Sequence, residues 1–573
     1  MDLDLEKSVG IIKRPSQQCT GPVETAAAHR AGTAEDGHVR PCPWIAGKKK
    51  ITCLAICLIA SPILILLVSR RVSPFPSKSG WASSSSTTYT SQESKKDVLM
   101  GGLLVPGFDE RICISRYNSA MYRKNAARSP CPHLIKRLRE QEALQRRCGP
   151  DTAAYRRAAE RIESRRNGTD GAAADANDDG ACKYLVLVPY RGLGNRMLAM
   201  VSAFLYAMLS GRALLVDRGE SLGDLFCEPF PETSWLLPRE FPIKNLEGLT
   251  GEVPDSYRNL VQNERLVTSA SDLPYVFVDL DHACTYHDKL FYCDDDRHFL
   301  HRAPWLLMRT DGYFVPALFL NPAYQDELDR LFPRKDLVFY LLAHYLLHPT
   351  NKVWGLTTRF YNSYLKDSDE RLGIQVRVFD GDSPFKHILD QITACTSQER
   401  LLPEVVAQEP SFPAPAAAGA RSKAVLMTGL NSWYYENIRS KYWQSATVTS
   451  EVVSVHQPSH EEHQLSGNTT HDMKALAEMY LLSMTDAIVT SGWSTFGYVG
   501  HGLGGLSPWV MFKPENLTTP DPPCRRAMSM EPCLHGPPFY DCRAKRGADT
   551  GKLVPHVRHC EDMTWGLKLV HPE

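Results

Sequence analysis

Residues 184–217 read YLVLVPYRGLGNRMLAMVSAFLYAMLSGRALLVD, and this stretch decides the fold. Its first six residues are a short, continuous apolar run with β-branched side chains, the pattern of a strand buried on both faces. Two glycines turn the chain, then an amphipathic helix is predicted over 195–211 and a second strand over 213–217. Strand, helix and strand at this spacing form a βαβ unit, which joins parallel strands. The pattern returns downstream. Residues 373–379 (GIQVRVF), 424–428 (AVLMT), 486–490 (DAIVT) and 509–512 (WVMF) read as strands, and 472–484 as a helix opened by Asp472. The expected class is α/β in two halves, divided between residues 340 and 373, with ligands at the carboxyl ends of the strands.

The chain has 573 residues, with 65 Lys+Arg against 65 Asp+Glu. That length suits several domains, and 43% hydrophobic content excludes wholesale disorder. Zero net charge argues against a nucleic-acid binder that works through bulk charge. The zero sums unlike parts: residues 69–166 hold 20 cations and 9 anions, and residues 167–573 hold 37 and 50. The segment 51–68, ITCLAICLIASPILILLV, is charge-free over 18 residues and clamped by Lys48, Lys49, Lys50, Arg70 and Arg71. It is at the short end of what spans a bilayer, and fifty residues precede it, so it is not read as a cleaved leader. Flanking cations barely orient it, with four in the twenty residues before and three in the twenty after. Sequons at Asn167, Asn468 and Asn516 and twelve cysteines follow it, which favours an oxidising, lumenal setting. The expected organisation is a cytosolic tail (1–50), an anchor (51–68), a flexible Ser/Thr/Pro-rich stem (69–100) and a basic helical arm (101–180). Two domains follow, 181–355 and 356–573, the second with a Cys-rich tail. The arm reads as a solvated helical surface or as a polyanion-binding one.

Four motifs could carry chemistry. Tyr190-Arg191-Gly192-Leu193-Gly194-Asn195-Arg196 sits between a strand and a helix start, where exposed amides favour anions. With Asp217 it imitates a dinucleotide site, but Met197 holds the place of the third glycine. It also reads as a plain βα turn. Arg377 leaves a buried strand, where its planar fork suits phosphate oxygens or an ion pair with Asp380. Residues 491–498, SGWSTFGY, offer hydroxyls and amides to a phosphate, or simply cap a helix. Cys293-Asp294-Asp295-Asp296 could bind a divalent metal with a sugar nucleotide, lie in solvent, or supply a general base. Cys524, Cys533, Cys542 and Cys560 contain no C-x-x-C spacing and read as a disulfide framework rather than a zinc site.

Together these segments resemble the plant xyloglucan α-1,2-fucosyltransferases (glycosyltransferase family 37). The resemblance runs from about residue 97 to the C-terminus. It includes GGLLVPGFDERICISRY (101–117), YRGLGNRMLAMVSAFLYAML (190–209), LLVDRGESLGDLFCEPFPETSWLLP (214–238), HPTNKVWGLTTRFYNSYL (348–365), GIQVRVF and SGWSTFGYVGHGLGG (491–505). The tail, the stem and the insertions at 167–180 and 402–420 fall outside it. It implies a GT-B fold, two Rossmann-like domains facing a cleft. It implies a single-pass type II protein of the Golgi membrane that transfers fucose with inversion from GDP-β-L-fucose to a galactosyl residue of a cell-wall polysaccharide. No metal cofactor is implied. Arg377 matches the family motif and is implied to stabilise the GDP leaving group, with Gln375, Ser494, Thr495, Phe496, Gly497 and Tyr498 about the donor. Asp296 is the candidate base or water relay, and Arg191, Gly192, Gly194, Asn195 and Arg196 the cleft wall on the acceptor side. Arabinogalactan or pectic glycans as acceptors, a homodimer, and a non-catalytic subunit of a glycosyltransferase complex stay open. Nucleic acid is not among the expected partners.

Overall fold

Apolar strands that cannot face water must be covered on both sides, and the helices between them supply the cover. In a computed structural model the described residues are 97–122, 128–166, 182–219, 221–263, 273–281, 284–293, 297–379, 384–407 and 419–572. They belong to one unit, residues 93–573. The tail, the anchor at 51–68, the stem up to residue 96, Asn167, Asp296 and Asp380 lie outside the described residues.

After a short helical segment at Ile114–Asn118 come helices α1 (Pro132–Cys148) and α2 (Ala153–Arg166), followed by β1 (Tyr184–Pro189), α3 (Leu193–Ser210) and β2 (Ala213–Val216). β3 (Val276–Leu280) and β4 (Trp305–Thr310) complete a parallel sheet of order β2-β1-β4-β3. The sequence reading missed these two strands, because VFVDL and WLLMRT each carry a charge inside an apolar run. The charges are partners: Asp279 and Arg309 stand opposite in register and bond through Nη2–Oδ2 at 2.8 Å and Nε–Oδ1 at 3.2 Å. α3 is long and apolar enough to cross a membrane, yet it is a core helix with most of its side chains buried.

The basic stretch is not a solvated arm. Leu134 and Leu138 of α1 are buried in the main core, and Gln145 exchanges two hydrogen bonds with the backbone of Leu214 on edge strand β2. Tyr155, Ala158 and Ile162 of α2 pack against Tyr184 and Trp305. Several cations pair locally, Arg137 with Glu327 and Arg139 with Glu142, both at 2.9 Å. One apolar face per helix outweighs the charge on the others, because burying it removes the only surface that water disfavours.

Helices α4 (Val338–Leu346) and α5 (Asn351–Phe360) lead into the second half. It runs β5 (Glu370–Gln375), α6 (Lys386–Gln398), β6 (Ser422–Thr428), α7 (Ser432–Gln444), β7 (Val452–His456), α8 (Thr469–Ser483), β8 (Ala487–Ser491), α9 (Thr495–Gly504), β9 (Trp509–Met511) and β10 (Cys524–Arg526). The sheet order is β10-β9-β8-β5-β6-β7, parallel except for β10. α8 starts three residues before Asp472 because Asn468 caps it, accepting from the His471 amide at 3.1 Å. A single cluster of buried side chains takes in α3, α4, α8 and α9 and runs from Leu103 to Leu569. Two parallel α/β sheets joined through such helices make a GT-B-like glycosyltransferase fold.

Among the described residues five disulfides tie the chain: Cys113–Cys227, Cys148–Cys182, Cys293–Cys542, Cys395–Cys524 and Cys533–Cys560. The four C-terminal cysteines therefore do not form a closed set, since two of them reach back to Cys293 and Cys395. Among the described residues Cys131 and Cys284 are unpaired thiols.

Candidate functional site

In the second sheet the strand order reverses between β5 and β8, and ligands of open α/β sheets bind outside the strand ends at such a switch point. Gln375 ends β5, and its Oε1 accepts from Thr490 Oγ1 at 2.8 Å. Arg377 follows two residues beyond the strand. Its amide donates to Ser491 Oγ at 2.9 Å, and its Nη2 donates to Gln464 Oε1 at 3.2 Å. Burial lowers the pKa of this guanidinium, so the site disfavours the unpaired charge. Among the described residues no carboxylate forms an ion pair with it. A shallow, solvent-open cleft lies here, lined by Arg377, Phe379, Ser491, Gly492, Trp493 and Lys513 among others.

The loop after β8 leads directly into α9. Ser494 caps that helix, accepting from the Gly497 amide at 3.4 Å. The first amides of a helix lack intrahelical partners and carry its positive end, and here that end follows directly from β8, next to the switch point. Gly497 is required by contact: a Cβ there would lie 1.9 Å from Thr490 Oγ1. Trp493 has φ 61°, a left-handed conformation that a bulky residue holds only when its surroundings impose it. Asp562 does so. Its Oδ2 accepts from the Trp493 amide at 2.8 Å and from Tyr498 Oη at 2.5 Å, and its carbonyl accepts from Trp493 Nε1 at 2.5 Å. Tyr498 is thus buried against Asp562 and His535 rather than turned toward the cleft.

The glycine-rich turn of the first sheet meets this loop. Asn195 Oδ1 accepts from Thr495 Oγ1 at 3.0 Å, and Asn195 Nδ2 donates to the Asp311 carbonyl at 2.8 Å. A Cβ on Gly194 would come within 2.9 Å of the Phe496 amide nitrogen, so glycine lets the two helix starts touch. Gly192 is the N-cap residue of α3. Arg191, at φ 66°, pairs through Nε with Asp311 Oδ2 at 2.9 Å. Arg196 points elsewhere. Its Nη2 meets Asp472 Oδ2 at 2.7 Å, and Ser221 Oγ donates to the same oxygen at 2.9 Å.

Two predicted motifs, 300 positions apart at Asn195 and Thr495, are therefore brought into contact. Asp311 and Asp562 went unread, and Asp472 reads only as a helix opener, because single aspartates in loops and helix turns carry no periodic signal. Asp296 lies outside the described residues. Asp311, just past the end of β4, shares that rim with Asp217 past β2 and Asp281 past β3, and Asp279 nearby has its pKa raised by burial despite Arg309. The grouping of Cys533, Cys560 and Asp562 has ligand-like spacing, but the two sulfurs form a disulfide and offer no thiolate. Asn468 and Asn516 are exposed.

The profile of the xyloglucan fucosyltransferase family matches residues 78–543. A galactoside 2-alpha-L-fucosyltransferase of Arabidopsis thaliana is 53% identical over 479 residues, covering 83% of this chain and 83% of its own. One of Pisum sativum is 51% identical over 486 residues, covering 85% of this chain and 84% of its own. The solved structure of an Arabidopsis thaliana FUT1 mutant in complex with GDP aligns with a TM-score of 0.76 at 52% identity, over 83% of this chain and 100% of that one.

Proposed function

The chain belongs to the xyloglucan fucosyltransferase family, and from that premise we propose that it transfers L-fucose from GDP-β-L-fucose to O2 of a terminal galactosyl residue on xyloglucan side chains. The observation that carries this reading is Arg377, half-buried at the switch point, its amide bonded to Ser491 at the start of the loop that enters α9, whose first residue meets Asn195 of the glycine-rich turn. In a single inverting displacement the bond from the fucosyl anomeric carbon to the β-phosphate oxygen breaks, and its electron pair stays on GDP. The galactosyl O2 bonds from the opposite face and gives up its proton. Arg377 and the amides of Thr495 and Phe496 meet the charge that grows on GDP, a role that fixed donors fill without reorganisation. Gln375, Ser494 and Gly497 shape that turn. Asp296, directly or through water, or Asp311 on the opposite rim, receives the proton. No metal enters the reaction.

The described body belongs in the Golgi lumen, held by the anchor at 51–68 as a type II membrane protein, with residues 1–50 cytosolic, 69–100 the stem and two domains meeting at about residue 355. Sequons and disulfides fit an oxidising lumen. The test gives the full-length protein GDP-fucose and galactosylated xyloglucan, with and without EDTA. α-Fucosylated product in both arms is expected. No product overturns the reading, and loss of product only with EDTA overturns its metal-free part.

A further inference from the structure

All four strands of the first sheet point their carboxyl ends to the same rim, so what leaves β3 lies beside what leaves β4 and β1. Leaving β3, the chain exposes Tyr286, which is 55% accessible. Tyr286 meets Tyr540 edge-on with ring centroids 6.0 Å apart. Phe539, 42% accessible, is adjacent in the chain, and Lys289 Nζ stands 5.3 Å from its ring centroid. The two segments are 249 residues apart in sequence and are bolted together by Cys293–Cys542. Single exposed aromatics are ordinary, but a covalently fixed group of three rings with a cation on a working rim is not. The other edge of the sheet differs. Among the described residues the connection leaving β2 exposes no large apolar side chain before residue 264.

We propose that Tyr286, Phe539 and Tyr540 form an auxiliary polysaccharide subsite, a platform on which pyranose rings of the acceptor chain, remote from the reacting galactose, lie flat. This rests on the fucosyltransferase reading for the position of the reacting sugar at the β1–β4 rim. The β3 edge lies two strand spacings from β1, roughly 10 Å, beyond the reach of one sugar but along the path of a polymer. Pyranose rings present apolar C–H faces, and aromatic rings held rigid in advance bind them with little ordering cost. The subsite therefore selects for acceptor length rather than for the galactosyl unit.

The test is the full-length Tyr286→Ala, Phe539→Ala double variant, both positions exposed so that folding is spared. Acceptors are galactosylated xyloglucan and a free galactose-terminated disaccharide. KM for the polymer is expected to rise about tenfold or more, the loss of a modest set of ring contacts, with kcat unchanged. KM for the disaccharide and for GDP-fucose is expected to stay within about twofold, and Tyr286→Phe to restore the polymer KM. Gel retardation by xyloglucan without GDP-fucose is expected for the unaltered protein and lost in the variant. An unchanged polymer KM, or equal losses on both acceptors, overturns the platform while leaving the fucosyltransferase reading intact. Retardation lost in the variant although the unaltered protein makes no product overturns the fucosyltransferase reading and keeps the platform.

Discussion

At the scale of single residues, burial and partner geometry separate groups that carry ligand chemistry from groups that carry the frame. The resemblance places Arg377 about the donor and Arg196 on the acceptor-side wall of the same cleft. Arg196 is ion-paired with Asp472, whereas among the described residues Arg377 has a neutral amide partner and no ion pair. Arg377→Ala is expected to lower kcat by about 10²–10³, the cost of one leaving-group donor. Arg377→Lys is expected to recover little, since a point charge cannot replace a planar fork. Steady-state kinetics with GDP-fucose check both. Gly194→Ala drives a methyl group into the Thr495–Phe496 backbone, and the expected result is a lower melting temperature together with a raised KM for GDP-fucose.

At the scale of elements, α9 and its loop are held from three sides: Asn195 from the first sheet, Thr490 from β8, and Asp562 from the C-terminal segment. Asp562→Ala removes an acceptor from two buried donors and frees a strained Trp493. A loss of about 2–4 kcal/mol in denaturant unfolding is expected, with weakened GDP binding. Native-like affinity for GDP would show that the loop holds its shape unaided. The turn also explains which motif residues were legible. Glycines and hydroxyls between a strand and a helix announce a βα turn from local rules alone. That Tyr498 would turn inward could not be read, because its partner lies 64 positions away in a segment without regular pattern.

At the scale of the whole molecule, the interior holds carboxyls that stay protonated where an exposed carboxyl would not. Burial pushes Glu478 up to about 8, and Glu531, between Tyr313 Oη and the Phe339 amide, up to about 8 as well. Their ordinary value is near 4.5, so the native state keeps protons that the unfolded chain releases. The stability these groups confer is full below about pH 4.5 and is lost as pH rises toward 8. Glu531→Gln is expected to flatten that decline by up to about 1.4 kcal/mol per pH unit, read from urea midpoints across the range. The Cys113–Cys227 disulfide spans 114 positions and ties the segment before α1 to the first half. Replacing both with serine is expected to cost about 4–5 kcal/mol, the closure entropy of a loop that long.

Local patterning determined much of this protein by itself. The run YLVLVP, the apolar helix after it and the GIQVR and SGWSTFG turns each fix their own structure through side-chain period and backbone freedom, and they made the α/β class and its strand-to-helix turns legible. A resemblance carried by long, ordered segments supplied the family. Tertiary structure alone decided which strands completed the sheets, since β3 and β4 hide opposite charges that cancel only once Asp279 and Arg309 stand in register. It decided that the basic helices of residues 132–166 would be a layer of the core, that two of the four C-terminal cysteines would reach back along the chain, and that Asn195 would meet Thr495. Such facts depend on contacts between distant residues, and their free energy appears only when the chain has closed upon itself.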